Sequence, residues 1–209
     1  MSPVSVAGGR RLGWEARRIP CASLLLAGAT VTVFAFPGLA GLLQYDRAAI
    51  AAGEIWRLIT AHFVHYSLDH LFWDLLAFSC LGLVCEHNGS VRFLLCVFGS
   101  ALAISAAVWL WLPGLGAYRG LSGVDSALFG LLFADVCHGA VRSRRLEQGA
   151  VAAVCFVAFF LKISFELITQ TNVFAQNLGP AAVGVPLAHI VGASIGLLVG
   201  FAVSGEMRA

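Results

Sequence analysis

Ser122 lies in Gly120-Leu121-Ser122-Gly123, with a glycine directly after it and another two residues before. A serine hydroxyl attacks a carbonyl when a neighbouring base takes its proton. Flanking glycines let other backbone come close and permit an unusual turn. A serine at a helix start also has unpaired backbone N–H groups beside it, which can hold a developing oxyanion. The structural alternative is local: Ser122 with Asp125 three residues on resembles a helix-capping arrangement. The candidate base is His189, in an apolar run where Ala188, Gly192, Gly196 and Gly200 recur every fourth residue. An ionisable side chain in such a run is a functional candidate, although an interior histidine can simply bond a carbonyl. The stripe of small residues admits a close neighbouring helix. Ser122, Ser126 and Gly130 form a matching stripe. If these faces pack, Ser122 and His189 reach hydrogen-bond distance.

A second histidine, His70, precedes Asp74 by four residues, so the two share a helix face. With His62 and His65 they make up the residue types of a metal site. The H-E-x-x-H pattern is absent, however, and His62 and His65 fall in a loop, where hydrogen bonds that fix a tautomer are the ordinary role. Neither a metal nor a cofactor is expected. Lys162 and Glu166, also four apart, are expected to pair, because either charge alone is costly in lipid. They read as a structural ion pair or as a contact to a polar part of a substrate. Asp135 and His138 read as interfacial polar groups. The six cysteines sit in or beside apolar stretches without a C-x-x-C pair, which points to small buried hydrophobes rather than a disulfide framework.

The elements that must position these residues are membrane helices. Of 209 residues, 59% are hydrophobic and 11% charged, with a mean hydropathy of +0.88. Soluble domains carry about 25% charged residues, and a spanning helix takes ~20 apolar ones. The pattern predicts an all-α, polytopic fold in a single membrane domain over 1–209. The N-terminal segment 1–20 is followed by spans at about 21–43, 68–85, 92–112, 121–138, 149–169 and 185–204. The basic residues before the first span could mimic a signal peptide. The run from Ile19 to Tyr45, however, is uncharged for 27 residues, longer than a signal's apolar core of about 7–15. Arginine placement orients the spans. Arg10, Arg11, Arg17, Arg18, Arg92, Arg142, Arg144, Arg145 and Arg208 fall on one side, and only Arg47, Arg57 and Arg119 on the other. The positive-inside rule then puts both termini in the cytoplasm. The outer loops are 44–67, 113–120 and 170–184, the first with Trp56, Phe63 and Tyr66 suited to a headgroup layer. His70, Ser122 and His189 come to one depth near the outer face. A net charge of +2 gives no reason to expect a nucleic-acid partner.

Together these residues resemble the rhomboid family of intramembrane serine proteases, over about residues 20–205 as a six-helix core. Trp56-Arg57 is similar to the family's tryptophan–arginine signature, Gly120-Leu121-Ser122-Gly123 to its nucleophile motif, and His189 before small residues to its base motif. The resemblance implies a Ser122–His189 dyad without a third acidic partner in the last span. It also implies an oxyanion site made by the Ser122 N–H and the side chain of His70, with Gly120 and Gly123 shaping the turn. Where typical members have asparagine four residues after that histidine, this chain has Asp74. An ionised carboxylate has no N–H to donate, so Asp74 is either a neutral donor or an orienting partner of His70. Asp74, the extended Arg119-to-Ser126 motif, the Lys162/Glu166 pair and Val185-Pro186-Leu187-Ala188-His189 are most similar to the rhombosortase subfamily. That likeness implies substrates in the Gram-negative inner membrane whose C-terminal tail carries a Gly-Gly motif, a transmembrane helix and basic residues. It leaves open whether water or another nucleophile resolves the acyl-enzyme. Two other classes compete: a catalytically inactive rhomboid-like client-binding protein, and a transporter. A transporter predicts an internal repeat, and the chain has none. The sequence carries no signal for an oligomeric state.

Overall fold

The computed structural model describes residues 19–169, 173 and 184–202. Arg10, Arg11, Arg17, Arg18 and Arg208, and most of the loop 170–184, lie outside the described residues.

The first apolar run is not one helix. Helix α1 (Cys21–Ala35) stops at Phe36, and α2 (Pro37–Leu43) leaves at 111° to it. Pro37 causes the break: its ring cannot continue the preceding helix, and it drives Phe36 out of the helical region, to φ −115° and ψ 86°. The start of α1 is held by a carboxylate missing from the sequence reading. Glu86 accepts the Ala22 and Ser23 backbone N–H groups at 2.9 and 2.7 Å and the Ser23 hydroxyl at 2.6 Å. This pairs an anion with the N–H groups that a helix start leaves unsatisfied.

The segment before the second long helix is built as a plate. Strand β1 (Tyr45–Asp46) is followed by α3 (Arg47–Ala51), α4 (Arg57–Thr60) and a single 3₁₀ turn (Ala61–Phe63). Arg57 is buried and stitches the plate together: its guanidinium donates to Glu54 at 2.7 Å and to the Gly41 and Gln44 carbonyls at 2.8 and 3.0 Å. Trp56 lies half outside and donates its indole N–H to the Leu42 carbonyl at 3.2 Å. His62 is fully buried, and desolvation lowers its pKa to about 4. The ring is therefore neutral and donates its Nε2–H to the Ala101 carbonyl at 3.0 Å. Strand β2 (Ala117–Tyr118) pairs antiparallel with β1, a small β element that the all-α expectation did not include.

Four helices are long and apolar enough to cross a bilayer: α5 (Leu68–Asn88), α6 (Ser90–Trp111), α7 (Ser122–Ser143) and α8 (Leu146–Thr169). The bent α1–α2 pair makes a fifth candidate, and α9 (Pro186–Ala202) is a shorter apolar helix of 17 residues. By length and composition the described residues thus hold four or five candidate spans, against the six expected. The outward faces of the long helices are apolar, with Val154, Leu161 and Ile168 exposed on α8 alone. Such surface suits lipid rather than water, and the chain is a multi-pass membrane protein.

Helix α9 packs most extensively on α7 and next on α6. The seam explains its glycines. A Cβ on Gly192 would overlap the Gly123 carbonyl, one on Gly196 the Ala127 carbonyl, and one on Gly200 the Ala134 side chain. The α7 side of the seam is therefore Gly123, Ala127, Gly130 and Ala134. Of the expected stripe, Gly130 lies in the seam, whereas Ser122 and Ser126 line a cavity beside it. Helix α8 is held far more loosely, with Ile163 and Glu166 its only buried residues. Toward the C-terminal end of α7, Asp135 is ion-paired to Arg92 at 2.6 Å, and the His138 ring packs edge-on to Phe201. Cys85 and Cys96 are buried as expected, but Cys21, Cys80 and Cys155 are exposed.

Candidate active site

The turn before α7 is fixed from three sides. Gly120 adopts φ +123°, a conformation that favours glycine. A Cβ there would sit 2.7 Å from His70 Nε2 and 3.2 Å from Asp74 Oδ2, so the residue must be glycine for the backbone to reach them. The Gly120 N–H donates to the Ala61 carbonyl at 3.3 Å, and the Tyr118 hydroxyl donates to the Gly120 carbonyl at 3.4 Å. Ser122 is then the first helical residue and Leu121 the cap position, with no side-chain cap. The capping alternative for Ser122 and Asp125 is thereby corrected: Ser122 sits one place too far along to cap. Its hydroxyl borders a cavity of about 540 Å³, which His189 also lines. The two side chains come from helices in direct contact, for a Cβ on Gly123 would lie 3.1 Å from the Ala188 carbonyl oxygen. Glycine after the serine is what lets the residue before the histidine approach.

Asp74 is an acceptor. Its Oδ2 takes an N–H from His65 at 3.1 Å, from His70 at 3.2 Å and from the Leu121 backbone at 2.9 Å. The contact with His70 follows from their four-residue spacing on one helix face. Burial lowers the pKa of His65, so its ring is neutral and presents an N–H to Asp74. His70 Nδ1 meanwhile accepts the Tyr66 N–H at 3.5 Å, so both of its ring nitrogens are engaged. Tyr66 stacks on His70 with centroids 5.9 Å apart, and the Arg119 guanidinium lies over the Tyr66 ring, 4.8 Å from its centroid. Spacing gave no sign of this stack. Tyr66 and Arg119 lie in two different loops and His70 in the first turn of α5, and only the fold superposes them.

His65, His70 and Asp74 offer three ligand-type atoms within 4.8 Å of one another, whereas His62 points away toward Ala101 and Ser105. The fourfold metal set considered from sequence is thus split. Its remaining three members are already joined by N–H groups converging on one carboxylate oxygen. Asp74→Asn keeps an oxygen for these donors but turns charge-assisted bonds into neutral ones. A loss of about 1–2 kcal/mol in stability is expected, read as a lower melting temperature of the purified protein in detergent.

Lys162 and Glu166 form the expected pair, at 2.9 Å, on the cavity wall. Glu166 also faces His189, with Oε2 3.5 Å from Nδ1, and its Oε1 accepts the Val173 N–H at 3.0 Å. An acid in contact with His189 was missed because no acid lies within α9, and spacing does not register α8 against α9. The rest of the wall mixes apolar side chains, Trp73 and Leu76 from α5, Phe129 from α7 and Phe159 from α8, with the polar His70, Asp74, Arg119, Asp125 and Ser126.

A glycine-flanked serine at a helix start, a histidine on a glycine-packed neighbouring helix and a cavity between them are arranged on the fold of a known family. The chain matches the rhomboid domain over residues 52–206, and it belongs to the rhomboid family. Rhomboid protease GlpG of Haemophilus influenzae is 30% identical over 161 residues, which cover 77% of this chain and 76% of that protein. Rhomboid protease GluP of Bacillus subtilis is 27% identical over 156 residues, 70% of this chain and 30% of its own length. Rhomboid-like protease 2 of Toxoplasma gondii is 31% identical over 121 residues, 55% of this chain and 41% of its own length. The matches thus take in less than half of these last two proteins.

Proposed function

We propose that this chain is an intramembrane serine protease in which Ser122 is the nucleophile and His189 its base. The observation that carries the reading is the contact between α7 and α9, which brings Ser122 and His189 to the edge of one cavity. Relatives named rhomboid proteases support it. His189 takes the serine proton as the hydroxyl attacks the scissile carbonyl, and the Ser122 backbone N–H at the helix start stabilises the oxyanion. Asp74 holds the His65–His70 cluster against the turn, and Gly120 and Gly123 give it its shape. Arg57 and Trp56 fix the plate above the site.

The substrate we favour is a transmembrane protein with a C-terminal Gly-Gly motif, helix and basic residues, cleaved near the periplasmic face of a bacterial inner membrane. Both termini of the chain would be cytoplasmic, and the chain would form a single domain over 1–209. A helical substrate hides its carbonyls in i→i−4 bonds, and glycine weakens a helix by about 1 kcal/mol per residue relative to alanine. A Gly-Gly site therefore opens at little cost. Water, or an amine competing with it, would resolve the acyl-enzyme.

A client-binding protein without catalysis is the second reading. It draws on the engagement of the His70 and Leu121 N–H groups by Asp74, which leaves fewer donors for an oxyanion. The deciding experiment co-expresses the chain with a reporter ending in Gly-Gly, a transmembrane helix and basic residues, and follows the reporter's mass. Tail removal is expected, and the product mass identifies the resolving nucleophile. An intact reporter alongside cleavage of other membrane substrates would reject the tail-specific reading. An intact reporter with no reaction toward a serine-directed fluorophosphonate would reject the protease.

A further inference from the structure

We infer that Glu166 is a positioning residue for His189, so that the site operates as a Ser122–His189–Glu166 triad carried on three helices. The inference rests on the serine-protease reading above and replaces its dyad by a triad.

Geometry comes first. Glu166 and Ile163 are the only buried residues of the 24-residue α8, whose other side chains are at least partly exposed. An acid turned inward on such a helix needs a partner that compensates its desolvation. Lys162 supplies charge at 2.9 Å, one turn away. The same carboxylate oxygen lies 3.5 Å from His189 Nδ1, which makes no hydrogen bond among the described residues. A separation of 3.5 Å is a few tenths of an ångström beyond a good N–H···O bond. Such contacts are often long in an unliganded site and tighten with substrate.

Chemistry gives this contact a direction. A neutral imidazole carries its proton on one nitrogen, and the bond made by that nitrogen fixes which one. A carboxylate facing Nδ1 holds the proton there and leaves Nε2 with its lone pair for the Ser122 hydroxyl. When the hydroxyl proton moves to Nε2, the ring becomes an imidazolium in a poorly solvated site, and an anion at 3.5 Å stabilises it. Lys162 keeps the resting carboxylate from being an isolated charge in lipid. The Val173 N–H fixes the other oxygen at 3.0 Å and sets the direction of the carboxylate.

The test measures the rate at which a fluorophosphonate labels Ser122 in the full-length purified chain, for wild type, Glu166→Gln, Glu166→Asp and a Ser122→Ala blank. Glu166→Gln is expected to lower the maximal labelling rate about 100-fold or more, by analogy with the loss of a triad acid, with half-saturating probe concentration unchanged and a lower melting temperature, since Lys162 loses its counter-charge. Glu166→Asp, which keeps the carboxylate, is expected to recover at least about tenfold of that loss. Labelling of Glu166→Gln at the wild-type rate overturns the triad and leaves the protease standing. Equal loss of labelling in both variants also overturns it, since that outcome marks a structural ion pair. A wild type that is not labelled removes the protease reading and this inference together.

Discussion

Ser122→Ala brings tail removal to background, an expected loss of about 10⁴–10⁶-fold, and His189→Ala does nearly the same. Removing either group abolishes the same event, the formation of a serine nucleophile, so the double variant should be little worse than either single one. The measurement is the mass of the tailed reporter in membranes holding equal amounts of each variant. The alanine variants leave the seam intact, since Ser122 lies beside it and His189 faces the cavity rather than the glycine contacts. Their loss of activity should therefore come without loss of protein. Cleavage that survives Ser122→Ala would move the nucleophile elsewhere and discard the assignment.

The seam itself carries the second large effect. A methyl group on Gly196 would collide with the Ala127 carbonyl and reach the Leu131 backbone nitrogen at 2.9 Å. Both are helix backbone, which cannot swing aside as a side chain can. Gly196→Ala is expected to force α9 off α7 and to destabilise the protein by about 3 kcal/mol, the upper end for overpacking. Its fluorophosphonate labelling should fall as well, because the displaced helix carries His189. Gly139→Ala is the matched control. It lies on α7 with nothing within 4 Å of an added Cβ, and alanine favours a helix over glycine by about 1 kcal/mol. Thermal inactivation midpoints in detergent should thus move down for the first variant and slightly up for the second. A Gly196→Ala protein that melts with the wild type would rule out the close seam.

What the sequence made legible follows from how local each signal is. The glycines around Ser122 and the four-residue stripe after His189 are short-range patterns, and they pointed to two helices in contact. Helix boundaries for α5 to α8 came within a few residues because uninterrupted apolar stretches define them. The bend at Pro37 was legible in principle, through the restriction a proline places on its predecessor, but the uncharged run hid it. On α7 the expected Gly130 meets α9, but Gly123 and Ala127 replace Ser122 and Ser126 in the seam, since these residues are all small and composition does not choose among them. The links that organise the site were beyond spacing altogether. Asp74 reaches Leu121 across 47 positions, and Glu86 reaches Ser23 across 63. Glu166 meets His189 across a loop whose length says nothing about helix rotation. A polar residue in an apolar helix signals that a partner exists; only the fold says which one.

The packing order around α9 bears on how the protein is made. Synthesis runs from the N-terminus, so α5, α6, α7 and α8 emerge before the helix that carries His189. That late helix nevertheless occupies the centre, between α6 and α7. Under the proposed assignment, a nascent chain that has not yet delivered Pro186–Ala202 to the bilayer holds the serine without its base, and would be silent until that helix arrives.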